Sequence, residues 1–441
     1  MPETAIPPLA ADFKDTPYWW EAAPPERTSS APLPASADVV VVGSGFAGMC
    51  CALELARNGR KVAVLDAGDL GGGASSRSGA MVTGGQKLVV TDAITGIDPD
   101  LQAAMLHDAA ESLSMLEERV APHDMDTDYV RCGRLILAQV PKHMQRLSRW
   151  AELLRARAGS TVEMLDRTAL GAELASPRYH GGILIKDYGG IHPAKYHRAL
   201  RRKAQAAGAT LHAHTPAQAI RPEAKGFTVR TPSGDIQAQD VMVATNAYTG
   251  GVVPYLQRRV VAVGAYAVAT EPLPQGMVQQ LIPAARMCSD TQRDLFWFRP
   301  SPDGTRIVFG ARPFIHETDP RRAAPAMHRM LCTVFPQLES FRISHCWRGD
   351  VGMSRDHVPH MGRHEGIHFA LACNGSGVAM MSYLGVQTAR KILGSQNRAC
   401  AFDREAFPAI PLYNGTPWFV PVVSGWYRFQ DRLERLTARR A

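Results

Sequence analysis

The sequence predicts an α/β fold in which a Rossmann-type dinucleotide-binding domain is interlaced with a mostly antiparallel α+β domain. The first domain is indicated by an apolar strand, VVVV at 39–42, followed by a glycine turn, a helix over about 47–58 and a second strand at 61–65. The second domain is indicated by alternating strand patterns within 255–345, where VAVGAYAVAT, DLFWFRP and TRIVFGAR are separated by Pro- and Gly-containing turns.

The turn after the first strand reads GSGFAG and fits the pattern GxGxxG. Gly43 allows the tight turn, Gly45 lets a pyrophosphate approach the backbone, and Gly48 lets helix and strand pack closely. The N-terminus of the following helix offers N–H groups and a partial positive charge to phosphates. Asp66 ends the second strand and can accept hydrogen bonds from ribose hydroxyls. Together these features predict a dinucleotide site, but they do not distinguish NAD from FAD.

Other periodic segments complete the predicted order of elements. Apolar stripes predict helices around 105–116 and 144–154, and another helix is expected over about 194–208. A hairpin, FTVRT-PSGD-IQAQ, precedes a short buried strand at 241–244. The last strand pattern, HFALACNGSG, leads through a glycine turn into a helix over about 378–393.

Composition and charge describe a globular protein. A chain of 441 residues, with 45% hydrophobic and 20% charged residues, is large enough for two domains that enclose a ligand. The net charge is +8, but the 49 basic residues are spread along the chain, which argues against nucleic-acid binding. The eight cysteines include no CxxC pair, so reduced thiols are expected. With no signal-peptide pattern and no long apolar run, we predict a cytoplasmic protein.

A glycine-rich loop, GDLGGGASSRSGAMVTGG at 68–85, follows Asp66. It contains a single positive charge and reads as a backbone cradle for a long, bulky cofactor, with a plain surface loop as the alternative.

Five segments together resemble the D-amino-acid oxidase and glycine oxidase superfamily of FAD-dependent oxidoreductases: GSGFAG, GASSRSG, GGIHPAKYHRAL at 189–200, ATNAYTG at 244–250 and NGSGVAMMSYLG at 374–385. The resemblance extends from about Tyr18 to Leu393. The YWW segment, GASSRSG and WRGDVGMSRDHVPHMG are most similar to the γ-glutamylputrescine oxidase-like branch. The resemblance implies an α/β FAD domain interlaced with a mostly antiparallel substrate domain.

We assign the FAD domain to 37–90, 150–254 and 346–400, and the substrate domain to 91–149 and 255–345. Residues 1–36, with the aromatic cluster Tyr18, Trp19 and Trp20, are predicted to form an extended arm docked on the body, with a lid over the active site as the alternative. Residues 401–441 form a tail with an amphipathic helix, whose apolar stripe and basic face consist of Phe429, Leu433 and Leu436, and of Arg428, Arg432, Arg435 and Arg439. This helix could contact an anionic membrane, but we favour docking on the body or on a second subunit.

The cofactor-binding positions implied by the resemblance fall on the segments quoted above. They are Gly43, Gly45, Phe46, Ala47, Gly48, Asp66, Ala67, Ala74, Ser75, Ser76, Arg77, Thr245, Asn246, Gly375, Ser376, Gly377 and Val378. The turn at 374–377 opens a helix and would point N–H dipoles at flavin N1 and the C2 carbonyl. We favour non-covalent FAD, because the cofactor loop offers only Ser75, Ser76, Arg77 and Ser78 where some relatives bind flavin through His or Cys. Cys346 and Cys373 lie near the family's flavin-facing segments and are interpreted as buried thiols.

The chemistry that the resemblance implies is hydride transfer from a carbon bearing nitrogen to flavin N5, after which water hydrolyses the imine. The substrate would be a small amine or amino acid, and the electron acceptor O2 or a quinone. No catalytic base and no metal site are assigned, and Asp356 either lies near the flavin or stabilises a turn. The candidate substrate residues in the antiparallel segment are Tyr266, Trp297, Phe298, Arg299 and Arg312.

Arg299 is predicted to hold a substrate carboxylate, because it closes the strand DLFWFR just before the turn SPDG, where the resemblance implies substrate-facing residues. Strand alternation places it on the same side as Trp297. Arg312 is the alternative anchor, and a surface position or pairing with Asp294 or Asp303 is the alternative role of Arg299.

Other functions fit the same cofactor motifs. A 2-hydroxy-acid dehydrogenase would differ only in which substrates bleach the flavin, and a flavin-binding scaffold would bleach with none. A tRNA-modifying flavoprotein would need a basic, aromatic-interleaved surface or an added domain, and neither is visible.

Overall fold

The structure is a computed structural model that describes residues 9–91, 93–122, 124–314, 316 and 318–438. The beginning of the predicted arm, residues 1–8, and Arg439 of the predicted basic face lie outside the described residues.

The strands, in chain order, are β1 (Leu9–Lys14), β2 (Ser36–Val42), β3 (Val62–Leu65), β4 (Met81–Val82), β5 (Arg134–Leu137), β6 (Val162–Leu165), β7 (Gly182–Ile185), β8 (Gly189–Gly190), β9 (Thr210–His212), β10 (Ala219–Pro222), β11 (Phe227–Thr231), β12 (Gly234–Val243), β13 (Val261–Thr270), β14 (Met287–Asp290), β15 (Trp297–Pro300), β16 (Ile307–Ala311), β17 (Ile343–Met353), β18 (His360–His364) and β19 (Ile367–Leu371).

The α-helices are α1 (Phe46–Arg57), α2 (Gln86–Val90), α3 (Pro99–Val120), α4 (His143–Ala158), α5 (Arg167–Gly171), α6 (Pro193–Ala206), α7 (Pro254–Gln257), α8 (Met277–Leu281), α9 (Pro320–Val334), α10 (Gly377–Leu393) and α11 (Val420–Ala438). None of the described helices is both long and apolar enough to span a bilayer.

The Rossmann-type sheet has the strand order β10-β11-β12-β2-β3-β9, and β19 also pairs with β12. β2 runs parallel to both β3 and β12. Val39 and Val41 of β2 lie in one hydrophobic core, which α1 and α10 complete, whereas Val40 and Val42 lie in another. This burial of both faces explains why the strand is an unbroken apolar run. The predicted βαβ unit is confirmed.

The predicted hairpin is present as β11 and β12. The separate strand expected at 241–244 is instead the second half of β12, which continues from the hairpin into the parallel sheet.

The second sheet has nine strands within the described part of the chain, in the order β1-β17-β13-β16-β15-β14-β5-β7-β6. Its centre is antiparallel, as predicted, and parallel pairs occur at β1 with β17 and at β5 with β14. β6 and β7 belong to this sheet although the predicted range 150–254 placed them in the FAD domain, and β17 continues across the predicted boundary at 346. Strand patterns identify strands, but they do not show which sheet a strand joins.

The N-terminal arm docks on the body through both a strand and a helical turn. β1 pairs with β17, and a 3-10 turn over Tyr18–Glu21 follows. Trp19 is fully buried, and its ring packs edge-on against Trp347 and His192. The docked arm is therefore confirmed, but the aromatic cluster itself is a helical turn rather than extended chain.

Candidate active site

A cavity of about 1310 Å3 is lined by residues of both sheets. This volume exceeds the ~300–1,000 Å3 of typical small-molecule pockets, so the cavity can hold a long cofactor together with a substrate. One end, here called the cofactor end, is lined by the glycine turn, the loop at 68–81 and the N-terminus of α10. The other, the substrate end, is lined by residues from β13 to β16 and by Tyr427 of α11.

The glycine turn is tight for reasons visible in its surroundings. Gly43 has a φ of +104°, and a Cβ there would lie 2.8 Å from the Ala244 carbonyl oxygen. A Cβ on Gly48 would overlap with the carbonyl oxygen of Gly43. A Cβ on Gly45 meets only Ser75 Oγ, at 3.1 Å, and Gly45 lines the cavity. Gly43 and Gly48 therefore allow the turn to form, whereas Gly45 leaves space where a ligand would lie.

Asp66 is held in place at the cavity wall by the turn itself. Its Oδ2 accepts hydrogen bonds from the Ser44 backbone N–H (2.9 Å) and Oγ (2.5 Å), and its Oδ1 accepts from the Gly68 N–H (3.0 Å). Two carboxylate oxygens offer about four lone-pair sites, so the carboxylate can still accept a hydrogen bond from a ligand hydroxyl.

The glycine-rich loop is pinned to the body and forms a wall of the cavity. Ser75 Oγ accepts a hydrogen bond from the Phe46 N–H (3.0 Å), and Ser76 Oγ accepts one from Trp20 Nε1 (2.8 Å). Arg77 donates to the Gly72 carbonyl (2.7 Å) and lies over the Trp20 ring at 4.5 Å. These contacts favour the cradle interpretation over a plain surface loop.

Asn246 joins two predicted segments. Its Oδ1 accepts from the N–H groups of Ala372 (3.0 Å) and Cys373 (3.2 Å), immediately before the turn that opens α10. It adopts a φ of +45°, and a Cβ on Gly352 would overlap with its Oδ1. Asn246 thus positions the backbone of the turn and also lines the cavity.

The predicted cofactor-binding residues line the cavity, except Gly48, which is buried under the turn, and Ser76, which is buried behind the loop. Two further polar atoms at the cavity, Ser78 Oγ and Gln86 Oε1, are buried and make no hydrogen bond within the described residues. These features fit FAD. The glycine-lined turn and the two helix N-termini can hold its pyrophosphate, and the polar atoms without a hydrogen bond can pair with the edge of its ring.

At the substrate end, Trp297, Tyr266 and Arg312 line the cavity, as the sequence predicted. A Cβ on Gly79 would lie 2.7 Å from the Trp297 ring, and one on Gly310 would overlap with it, so two glycines make room for the indole. The Tyr266 hydroxyl exchanges hydrogen bonds with the backbone of Thr318 (both 2.7 Å). Phe298, the next residue on β15, lies on the opposite face of the strand from Trp297 and is fully buried in the core under α9. Neighbouring residues on a strand are expected to alternate in this way.

Arg299 does not line the cavity, which corrects its prediction as the carboxylate anchor. It lies on the Trp297 side of β15, but its guanidinium is buried and donates to the Ile191 carbonyl (2.8 Å) and to those of Gly79 and Ala80 (both 3.4 Å). It is neither a surface residue nor a partner of Asp294 or Asp303. Arg299 supports the glycine-rich loop from behind.

The charges at the substrate end are mostly cationic and desolvated. Burial, together with Arg134 and Arg312, lowers the pKa of Lys87 to about 8. Burial also lowers the pKa of Arg134 to about 10 and that of Arg312. Burial raises the pKa of Asp290, also in the wall, to about 6. An anionic group would offset the cost of burying these cations.

Several cavity residues escaped the sequence analysis. Lys87 lies in the short helix α2, directly after a loop that carries no helical signal, and Tyr427 belongs to the C-terminal tail. His357 also lines the cavity, as does Cys373, which the sequence analysis placed near the flavin-facing segments and interpreted as a buried thiol. Asp356 accepts hydrogen bonds from His360 (3.0 Å) and the Val358 N–H (3.3 Å) and stabilises its turn. Among the described residues, no group of His, Cys, Asp and Glu is placed to hold a metal ion.

Comparisons with known proteins identify the family of this chain. Residues 38–391 match the model of the family described as DAO, FAD dependent oxidoreductase. The chain is 30% identical to a probable oxidoreductase OrdL of Rhizobium meliloti, with 94% of this chain and 97% of the relative covered. It is 29% identical to the gamma-glutamylputrescine oxidoreductase of Escherichia coli, with 90% and 93% covered.

A solved structure shares the fold. Glycine oxidase from Geobacillus kaustophilus superposes with a TM-score of 0.71 at 21% identity, covering 86% of this chain and 99% of that one. The match over 38–391 includes the glycine turn, the cofactor loop, Asn246 and the turn that opens α10. The chain therefore belongs to the DAO family of FAD-dependent oxidoreductases.

Proposed function

We propose that this enzyme oxidises the C–N bond of a small amine or amino acid that carries a carboxylate. The observation that carries the proposal is the substrate end of the cavity, where Trp297 forms an aromatic wall beside Arg312, Arg134 and Lys87. A guanidinium can hold a carboxylate through two parallel hydrogen bonds and so fix which C–H bond faces the cofactor. Two relatives are a glycine oxidase and a gamma-glutamylputrescine oxidoreductase, and these names support an amino-acid or amine substrate.

An FAD held by the glycine turn and the glycine-rich loop would supply a hydride acceptor for oxidation of the substrate C–N bond, and water would hydrolyse the imine product. The protein's share is positioning and desolvation. The glycine turn and loop would hold the dinucleotide, Trp297 and Tyr266 would exclude water from the reacting carbon, and Arg312 would orient the substrate. The cationic wall would also favour the neutral form of a substrate amine, which is the form that can lose hydride.

The electron acceptor in this proposal is O2 or a quinone. We also infer a cytoplasmic location, since the eight cysteines are all free thiols, which are typical of a reducing compartment.

Anaerobic bleaching of the flavin tests the reaction class. Carboxylated amines and amino acids should bleach the visible absorbance of the flavin, and matched amines without a carboxylate should bleach it more slowly. Bleaching by 2-hydroxy acids in place of amines would reassign the enzyme to hydroxy-acid dehydrogenation. No bleaching by any compound of the panel would contradict the proposal.

We further propose that the FAD is not covalently attached, because the loop at 74–78 offers no His or Cys. Acid or heat denaturation should release the flavin into the supernatant. Flavin that stays with the denatured chain would point to His357 or Cys373, which line the cavity.

A further inference from the structure

The C-terminal helix α11 docks on the body through its polar face. Arg293 bonds to Asp431 (2.9 Å) and Glu434 (3.0 Å), and Arg428 bonds to Asp294 (3.0 Å). Asp431 is buried. Burial by itself would raise the pKa of Glu434, but hydrogen bonds from Arg293 and His143 lower this pKa to about 2. Docking on the body, which the sequence analysis favoured, is thus present, but the face that docks is the charged one.

The apolar face of the same helix points to solvent. Val422, Trp426, Phe429, Leu433 and Leu436 are spaced by steps of four and three residues, so they share one face, and each is between 49% and 70% exposed. A surface helix of a globular protein normally buries its apolar stripe and exposes its charges. α11 instead exposes its stripe, and the described part of the chain leaves these side chains uncovered.

The exposed apolar residues extend beyond the helix. Leu412 is 87% exposed and Trp418 is 57% exposed, in the segment that leads into α11. These two residues and the five of the stripe are here called the C-terminal apolar surface. Val423 of α11, next to Val422, is also 40% exposed. Outside residues 412–438 of the described chain, the large exposed hydrophobic residues are single and scattered, at Val130, Tyr248 and Phe314. A contiguous patch of this kind marks an interaction site.

We propose that the C-terminal apolar surface binds a phospholipid membrane that carries anionic headgroups, with α11 lying in the plane of the interface. Both acidic residues of the helix, Asp431 and Glu434, face the body and are paired there, so they do not oppose an anionic surface. Arg432 is exposed beside the stripe, and the chain carries a net charge of +8. Trp418 and Trp426 suit the boundary between headgroups and acyl chains, where indoles have one apolar and one polar side.

A second copy of the chain fits this surface less well. Apart from Arg432, the positions that flank the stripe, Gly425, Gln430 and Thr437, carry no charge that would select a partner helix. Insertion into lipid needs neither a matching shape nor a matching charge pattern.

The membrane would lie close to the cavity. Tyr427, adjacent to Trp426, lines the substrate end, so the lipid-facing side and the cavity are separated by one helix, about 10 Å across.

Flotation of the flavin-loaded, full-length protein with vesicles tests the proposal. Vesicles of phosphatidylcholine with phosphatidylglycerol should carry the protein upward, and vesicles of phosphatidylcholine alone should carry less of it. The double variant Trp426→Ser/Phe429→Ser should bind at least ~10-fold more weakly, because it removes two aromatic anchors. Val130→Ser, which removes an exposed hydrophobic residue outside this surface, is the matched control and should bind like the wild type.

Flavin absorbance and melting temperature show whether each variant is folded. Absence of flotation by the wild-type protein would overturn the proposal, as would a double variant that floats as well as the control. A wild-type dimer that the double variant converts to a monomer, with no vesicle binding by either, would assign the surface to a second copy of the chain.

Discussion

The two ends of the cavity are built in different ways. The cofactor end is largely backbone: a glycine turn, a glycine-rich loop and helix N-termini, each contained in a short stretch of chain. The substrate end is made of side chains that converge from β13, β14, β15, β16, α2 and α11. A site formed by backbone groups requires glycine at fixed local spacings and can therefore be recognised from the sequence. A side-chain site depends on where each long side chain points, which local sequence does not encode.

The strongest test of the backbone end is Gly45→Val. Its side chain would occupy the space between Ser75 Oγ and the cavity, so we expect almost complete loss of bound FAD. The measurement is the ratio of flavin to protein absorbance, with circular dichroism to show that the fold persists.

Two further variants provide comparisons for the FAD content of Gly45→Val. Gly171→Val, at a site in α5 with open space around it, should keep normal FAD content. Asp66→Ala should weaken FAD binding less than Gly45→Val, since it removes hydrogen bonds without filling the site. Full flavin content in the Gly45 variant would show that the turn is only structural.

The substrate end is tested by comparing Arg312→Leu with Arg299→Leu. Loss of one charge-assisted contact costs about 1.5–3 kcal/mol, so Arg312→Leu should raise KM for a carboxylated substrate roughly 10- to 150-fold with FAD content unchanged. Arg299→Leu should lower the melting temperature, because it leaves buried carbonyls unpaired, and should leave KM nearly unchanged. The reverse pattern would restore Arg299 as the anchor.

A smaller effect on activity is expected from Gly310→Ala, at a position where the backbone contacts the Trp297 side chain. A methyl group at Gly310 would overlap with the Trp297 indole, so Gly310→Ala should displace this wall and lower kcat/KM by roughly 10- to 100-fold. FAD content should remain normal, as should the activity of the Gly171→Ala control. Unchanged kcat/KM in Gly310→Ala would mean that Trp297 does not shape the reacting geometry.

The smallest effect concerns pH. Because the pKa of Lys87 is lowered to about 8, its ammonium is cationic below that pH and neutral above it. Attraction to an anionic substrate should therefore weaken as pH rises through 8, and KM should rise about 3- to 10-fold. In Lys87→Met, KM should already be high at pH 7 and should show no inflection near 8. An inflection that survives this substitution belongs to another group.

The sequence predicted those features whose signals are local. The run at 39–42, the turn at 43–48 and the opening of α10 were each recognised from a few adjacent residues. Arg299 was assigned correctly to the Trp297 side of its strand, but its guanidinium turns to carbonyls at 79, 80 and 191, which only the packed structure brings near.

The same reason accounts for the other differences. β7 joins the nine-stranded sheet by pairing with β5, which is distant along the chain, and β6 joins it by pairing with β7. Helical periodicity revealed the two faces of α11, but the direction in which those faces point is set by Arg293 and Asp294 in the loop between β14 and β15.

The residues of the cofactor end are far apart in the sequence, so the amount of folded protein should depend on the supply of the flavin cofactor. Trp20, the turn at 43–48, Asn246 and the turn at 374–377 meet at one cavity only when nearly the whole chain has folded. A ligand that binds this assembled state alone stabilises it by mass action, by ~2.7 kcal/mol when its free concentration is a hundred times its Kd. Without bound flavin the protein would unfold more often and be degraded. Riboflavin-starved cells would then accumulate less of this protein as well as less of its activity.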